Sequence, residues 1–441
     1  MNEDIEKFFL DKGCLIEEKA IEEIQKRGGL DYILKNEKKI DFSSPIFAIS
    51  NLPSINEFSI IKEFHLNGFP GISDNFVDIF KSRYSFLHSK LNETSKNHFF
   101  TQISKLKKGN GPVFTSGIVS EYTESKRGYG IVEIEDDSTS IKVILPKSFK
   151  DIIIKDEVIG VSGQFSKDGT AIFAENVYRP EAWKEPRESQ TSLKVMIISD
   201  IHVGSKNFLE DSFLNMIDYV NTQGISFVIM NGDLVDGIGV YPDQESDLAI
   251  NDINLQYKRL AELTSKINSN VRVIIIPGNH DIVYPTEPQN PLPKEINTMF
   301  PSNVTSLSNP VWVEIGGRIF LLYHGTSIFD FLESIPGTTM NDTGKIMVEM
   351  LKRGHLAPEY GKNLSFIPLK SDYYLIDPVP DVLVTGHVHS HSITTHRGIL
   401  AINASTFQEQ TSFQRMMNFN PKPAIGTLVD TRDLSTKMVQ F

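Results

Sequence analysis

A chain of 441 residues with 44 basic and 56 acidic side chains carries a formal charge of −12, which argues against a protein that grips nucleic acid by bulk electrostatics, a mode that needs a basic surface to displace counterions. No apolar run is long enough to span a bilayer, and the acidic, broken start MNEDIEKFFLDKG does not read as a signal peptide. A lone cysteine, Cys14, excludes a disulfide framework and a thiolate zinc cluster, so a cytoplasmic protein without membrane contact is expected, with any nucleic acid contact local, metal-mediated or supplied by a partner.

The length allows roughly two to four domains. In residues 1–36, Ile5, Phe8 and Phe9 recur at helical spacing, and Ala20, Ile21 and Ile24 repeat the pattern before Gly28-Gly29. A small helical module is expected, with a third short helix at Leu30 to Leu34. Residues 37–110 lose periodicity and read as a linker with partial helix, from Asn75 to Lys90. The basic run Lys105 to Lys108 reads as solvated surface rather than a phosphate contact. Residues 111–180 hold five short alternating segments, VFTSGIVSEY, YGIVEIED, SIKVILPK, EVIGVSGQF and AIFAENVY. They predict a five-stranded barrel of the oligonucleotide-binding (OB) type. A barrel with no ligand of its own is an equal reading, because Glu133, Glu135, Asp136 and Asp137 are poor company for phosphate.

The connector PEAWKEPRESQ, residues 181–191, then opens a different pattern over 192–441. LKVMIIS, ISFVIMN and VIII (Val273 to Ile276) read as buried parallel strands separated by helices at FLNMIDYVN and Leu255 to Ile267. VWVEIGG and RIFLLYHG read as a hairpin, and DVLVTGHVHS and GILAINAS as late strands.

The strand ends carry the chemistry. They deliver Asp200 and His202; Asn231, Asp233 and Asp236; Asn279, His280 and Asp281; His324; and His387 and His389. Ligands of open α/β sheets bind beyond the carboxyl ends of the strands. Residues two apart on extended chain point to one side, so Asp200 and His202 are expected to face one ion. Any one of these histidines alone reads as core, but the set reads as a site. Imidazole, carboxylate and amide oxygen without thiolate suit manganese, iron or zinc and are too nitrogen-rich for calcium or a purely magnesium site; manganese is the first expectation, with magnesium, iron or zinc as alternatives. The donors exceed what one tetrahedral ion can use, whereas two ions about 3.5 to 4 Å apart, bridged by one carboxylate, would use them for phosphoester displacement.

DIH, GDLVD, GNHD and GHVH, in this order and with His324 before the last, resemble the calcineurin-like metallophosphoesterases. The resemblance implies that Asp200, His202, Asp233 and His389 hold one ion, and that Asp233, Asn279, His324 and His387 hold the second. It makes His280 a non-ligand that stabilises the transition state or protonates the leaving oxygen, with Asp281 orienting its ring. That role needs an imidazolium near neutral pH, which the adjacent carboxylate is expected to favour.

Helices, then a barrel with RGYGIVEIEDD and DEVIGVSG, then this phosphoesterase with YPTEPQNPLP and ASTFQEQTSFQRMMNFNPKPA, together resemble the small subunits of archaeal family D DNA polymerases. This narrower resemblance covers about residues 110 to 441 well and the N-terminus weakly. It implies a 3′–5′ proofreading exonuclease with two divalent ions, acting on single-stranded or mismatched DNA 3′ ends beside a large catalytic subunit. Related eukaryotic polymerase subunits keep the fold without the ligands, whereas every ligand position is filled here. A weakly catalytic scaffold for the large subunit and a stand-alone phosphoesterase or nuclease are the alternatives. The barrel upstream speaks against the last.

Overall fold

The computed structural model describes residues 2–26, 29–30, 33–34, 40, 42, 45–48, 58–66, 75–95, 99–108, 111–416 and 419–441. Helices Asn2–Asp11 and Glu18–Lys26 form the expected N-terminal module. Its core of Ile5, Phe9, Ala20 and Ile24 also draws in Ile40 and Phe47, so the module reaches past residue 36. The parallel pair Leu15–Ile16 and Ile46–Phe47 ties the later residues back. The third helix expected at Leu30 to Leu34 falls partly on 31–32, which lie outside the described residues.

Residues 37–110 are more than a linker. Phe58–Lys62 is an edge strand antiparallel to Val311–Ile315. Asn75–Thr94 is a helix longer than the periodicity predicted. It packs Tyr84, Leu87 and Leu91 against Ile118 and Val158 of the barrel and Leu375 beyond it. Its buried Arg83 donates from Nε to Asp372 Oδ2 at 2.7 Å and from Nη1 to the Asp156 and Pro358 carbonyls. One guanidinium thus joins the helix, the barrel and the α/β sandwich. His355 Nε2 lies 2.6 Å from the same Asp372 oxygen.

Burial, and then Arg83, push His355 down to about 4, whereas an ordinary histidine titrates at about 6.5. The unfolded chain therefore takes up this proton first. The neutral ring's contribution, on the order of 3 kcal/mol, is complete above about pH 6.5 and is lost as the pH falls toward about 4. Thermal melts across that window are expected to show the loss, and His355→Gln is expected to flatten it.

The barrel closes in the order Val113–Glu124, Gly130–Glu135, Ser140–Ile144, Ala171–Tyr178, Val158–Phe165. All five expected strands are present, and Val119, Val132, Ile134, Val143, Ile159 and Ile172 fill the interior. This is the OB-type barrel read from the sequence.

Beyond it lies the expected α/β sandwich, made of two six-stranded sheets. In one, Val304–Ser306, Arg272–Ile276, Phe227–Asn231 and Lys194–Ile198 run parallel, followed by the antiparallel hairpin Ile425–Asp430 and Thr436–Gln440. The other orders Ser392–His396, Ile399–Asn403, Val382–Thr385, Arg318–Leu322, Val311–Ile315 and Phe58–Lys62. Alternate residues explain the unbroken apolar runs. Val195, Ile197, Ile229, Ile274 and Ile276 face Val313, Phe320, Leu322, Val384 and Ile402 between the sheets. Their neighbours Met196, Ile198, Met230 and Ile275 face Phe213, Met216, Tyr257 and Leu260 of the helices Glu210–Thr222 and Ile253–Thr264. A strand buried on both faces has no polar side to show. Among the described residues no helix is long and apolar enough to cross a membrane.

Candidate metal centre

All five donor-bearing strands end at one rim of the sandwich, and their loops are stitched to one another. Asp200 N donates to Gly232 O at 3.0 Å, His202 N to Asp233 O at 3.1 Å, and Gly386 N to His324 O at 2.7 Å. Asp200, His202, Asp233, His387 and His389 all adopt positive φ, between 47° and 71°. For residues other than glycine that region is costly and persists only where surrounding structure imposes it. The expectation that Asp200 and His202 share a side because they lie on extended chain is therefore corrected. They do converge, but from left-handed turns, and the equally spaced His387 and His389 join different clusters.

The motif glycines make room for this crowding. An ideal Cβ on Gly278 would lie 2.3 Å from Asp233 Oδ1 and 2.7 Å from His324 Cε1, and one on Gly386 would lie 2.6 Å from Asp200 Oδ2. Gly278→Ala must displace Asp233. It is expected to lower metal affinity by about 10- to 100-fold with the fold retained, as titration calorimetry and thermal melting will show.

The donors gather into two main clusters. Asp200, His202 and His389 offer ligand atoms within 4.8 Å of one another, and so do Asp233, His324 and His387. In the first, His202 Nε2 is 3.0 Å from His389 Nε2, which is 3.5 Å from Asp200 Oδ1. In the second, His324 Nε2 is 3.4 Å from Asp233 Oδ2 and 3.1 Å from Asn279 Oδ1. Asp233 Oδ2 is also 3.8 Å from His202 Nε2, which places this carboxylate between the clusters. His387 Nδ1 is buried with no hydrogen-bond partner among the described residues. Buried nitrogen and carboxylate donors that converge in this way fit divalent metal ions.

The electrostatics agree. Burial, and then His324, push His387 down to about 3, and burial with His202 holds His389 well below the usual range, so both are neutral donors. Burial opposes charge on His324, but Asp233 and Asp200 outweigh it and raise it to about 10. Burial and Asp233 push Asp200 up to about 6. Burial works against the charge of Asp233 too, yet His324 and His280 hold it well below the usual carboxylate range. Loading the site with metal therefore releases protons.

His280 and Asp281 depart from expectation. The Asp281 carboxylate accepts from Leu234 N at 3.1 Å, Gly278 N at 2.8 Å and the Tyr257 hydroxyl at 2.7 Å, so it braces the loop rather than the imidazole. What orients His280 is the Asp236 carbonyl, 2.7 Å from Nδ1. An acceptor there fixes the proton on Nδ1 and leaves Nε2 facing Asp233 Oδ2 at 3.9 Å. Nor does Asp281 hold the ring charged, since burial pushes His280 down and Asp281 itself up to about 6. His280 also forms a third grouping with His202 and Asp233.

Residues without an assigned role in the sequence complete the surroundings. Asp236 Oδ1 is 3.1 Å from His202 Nδ1 and accepts from Gln408 Nε2 at 2.8 Å. Gln414 Nε2 lies 3.0 Å from His389 Nδ1. His324 Nδ1 meets the Asn231 carbonyl at 3.1 Å, and His324 N donates to Asn309 Oδ1 at 2.8 Å. Gln408 and Gln414 belong to the glutamine-rich ASTFQEQTSFQRMM segment. The sequence offers this segment only as part of the family resemblance, and nothing in it foretells contact with the histidines.

Comparison with known proteins narrows the family. A family model described as the B subunit of DNA polymerase alpha/epsilon matches residues 195–394. The chain is 40% identical over 381 residues to the DNA polymerase II small subunit of Thermoplasma acidophilum, covering 83% of this chain and 78% of that one. It belongs to the archaeal DNA polymerase II small-subunit family. The DNA polymerase II small subunit of Methanothermobacter thermautotrophicus is 33% identical over 449 residues, covering 93% of this chain and 91% of its own. Among solved structures, one described as a novel archaeal phosphodiesterase aligns at 14% identity with a TM-score of 0.31, over 56% of this chain and 100% of its own. Every residue of the donor clusters lies within the span of the family match, whereas Gln408 and Gln414, which meet them, lie C-terminal to it.

Proposed function

We propose that this small subunit is a metal-dependent 3′–5′ exonuclease that removes terminal nucleotides from single-stranded or mismatched DNA ends for a separate large catalytic subunit. The observation that carries this reading is the pair of buried donor clusters with Asp233 between them. Asp200, His202, Asp233 and His389 would hold one divalent ion, and Asp233, Asn279, His324 and His387 the other, with manganese the first expectation. Two ions so held would supply an activated water and screen the charge of the phosphate. The protein's own part is to fix the geometry. His202 and His324 are locked through their Nδ1 atoms by Asp236 and the Asn231 carbonyl, and such outer partners set ligand orientation. His280, with Nδ1 on the Asp236 carbonyl, presents Nε2 to the reacting phosphate. The charge of a bound phosphodiester favours its imidazolium, which hands a proton to the leaving 3′ oxygen.

A scaffold role for the same chain is favoured by a different observation. The net charge of −12 gives the isolated chain little grip on DNA, so the large subunit must supply it. The two roles are compatible. The purified chain with manganese is expected to shorten 5′-labelled single-stranded DNA slowly from its 3′ end, releasing mononucleotides, and faster with the large subunit added. DNA left intact in both reactions by metal-replete protein would leave only the scaffold.

A further inference from the structure

A cavity of about 470 Å³ opens beside the metal centre, and Asn279 and His280 belong to its lining. The apolar side chains Ile238, Val240, Ile253 and Ile282 make up most of the rest of its wall. Ile238, Val240 and Ile282 are 45%, 37% and 38% exposed. Three large apolar side chains left in water around one cavity are a feature of binding sites. The wall is held in place. Gln256, buried in the helix Ile253–Thr264, grips Gly237 by both of its amide atoms, accepting from Gly237 N at 2.9 Å and donating to Gly237 O at 3.1 Å. Gly237 in turn lies so close to His280 that a Cβ would come within 2.4 Å of the His280 carbonyl. The one carboxylate in the lining, Asp281, is already spent on Leu234, Gly278 and Tyr257.

We infer that this cavity receives the unpaired base of the penultimate nucleotide, the one left at the new 3′ end after each cut. The inference rests on the exonuclease reading and on the place of His280 at the leaving oxygen. The nucleoside carrying that oxygen is the group next to His280, and the cavity begins at His280. Apolar walls contact any base and read none, since base readout takes hydrogen-bonding groups, so the subsite is sequence-independent. A base enters it only when free of its partner, so an end whose last two nucleotides are unpaired is cut in preference to a paired one. Mismatched or damaged ends reach that state at least cost.

The test uses the full chain with manganese and the double variant Ile238→Ser/Ile282→Ser, both sites exposed enough to leave the fold intact. Substrates are single-stranded oligonucleotides that are ordinary or carry an abasic residue at the penultimate or the terminal position. Wild type is expected to lose about tenfold in kcat/KM when the penultimate base is missing, within the range known for single contacts to an unstacked base, and little when the terminal base is missing. The variant should show that tenfold loss on the ordinary oligonucleotide and no further loss on the penultimate abasic one. Equal losses by the variant on both would overturn the subsite. If wild type cuts nothing, the exonuclease reading has failed, and fluorescence anisotropy with the same oligonucleotides decides the cavity separately. Tighter binding of the ordinary than of the penultimate abasic strand, abolished in the variant, supports it; equal binding overturns it. Weakened association of the variant with the large subunit, with oligonucleotide handling unchanged, would assign the apolar wall to that partner and also overturn the proposal.

Discussion

Asp233→Ala is expected to abolish phosphodiester hydrolysis, a loss of more than about 10³-fold, and to remove metal from both clusters together. Its Oδ2 is 3.4 Å from His324 Nε2, 3.8 Å from His202 Nε2 and 3.9 Å from His280 Nε2, so it is the corner common to the imidazoles of both sides. Removing it strips the cationic histidines of their counter-charge and would take the bridge from the two proposed ions at once. Elemental analysis of the purified variant, beside nuclease assays, measures both losses. Retention of one full equivalent of metal would show that Asp233 serves a single ion, and the shared-carboxylate reading would fall.

His280→Ala is expected to lower turnover by about 10² to 10⁴-fold, the range of a lost general acid, while metal content stays near that of the unaltered chain. The geometry behind this is the 2.7 Å contact of Nδ1 with the Asp236 carbonyl, which aims the opposite nitrogen at the cluster. Because His280 also groups with His202 and Asp233, the alternative is concrete. Loss of metal along with activity would make it a ligand.

The parts of the fold legible in the sequence were those that local pattern dictates. Val273 to Ile276 and Val195 to Ile198 read as buried strands because both faces of each meet a core. The barrel strands read correctly because turn residues separate alternating runs. Phe58–Lys62 was not legible, since it is a strand by pairing with Val311–Ile315 far along the chain. The C-terminal hairpin Ile425–Asp430 and Thr436–Gln440 likewise takes its place from Lys194–Ile198. At the site, the motifs named candidate donors, and the structure brings them to one rim. The sequence could not show which groups hold those donors still. Asp281 stands beside His280 in the chain, yet its carboxylate faces the loop's own amides, while the distant Asp236 and Gln414 meet the histidines. Adjacency in sequence is a poor guide in the turn after Ile276, where neighbouring side chains reach different partners.

The most direct test of a nuclease centre built around Asp233 is the release of mononucleotides from a primer with a mismatched 3′ end by the two-subunit polymerase, measured in manganese without deoxynucleotides, for the unaltered small subunit and for Asp233→Ala. Steady release is expected from the unaltered complex, and its disappearance in the variant while the two subunits remain associated. Release that persists in Asp233→Ala, or that is absent from a metal-replete unaltered complex, would contradict such a centre.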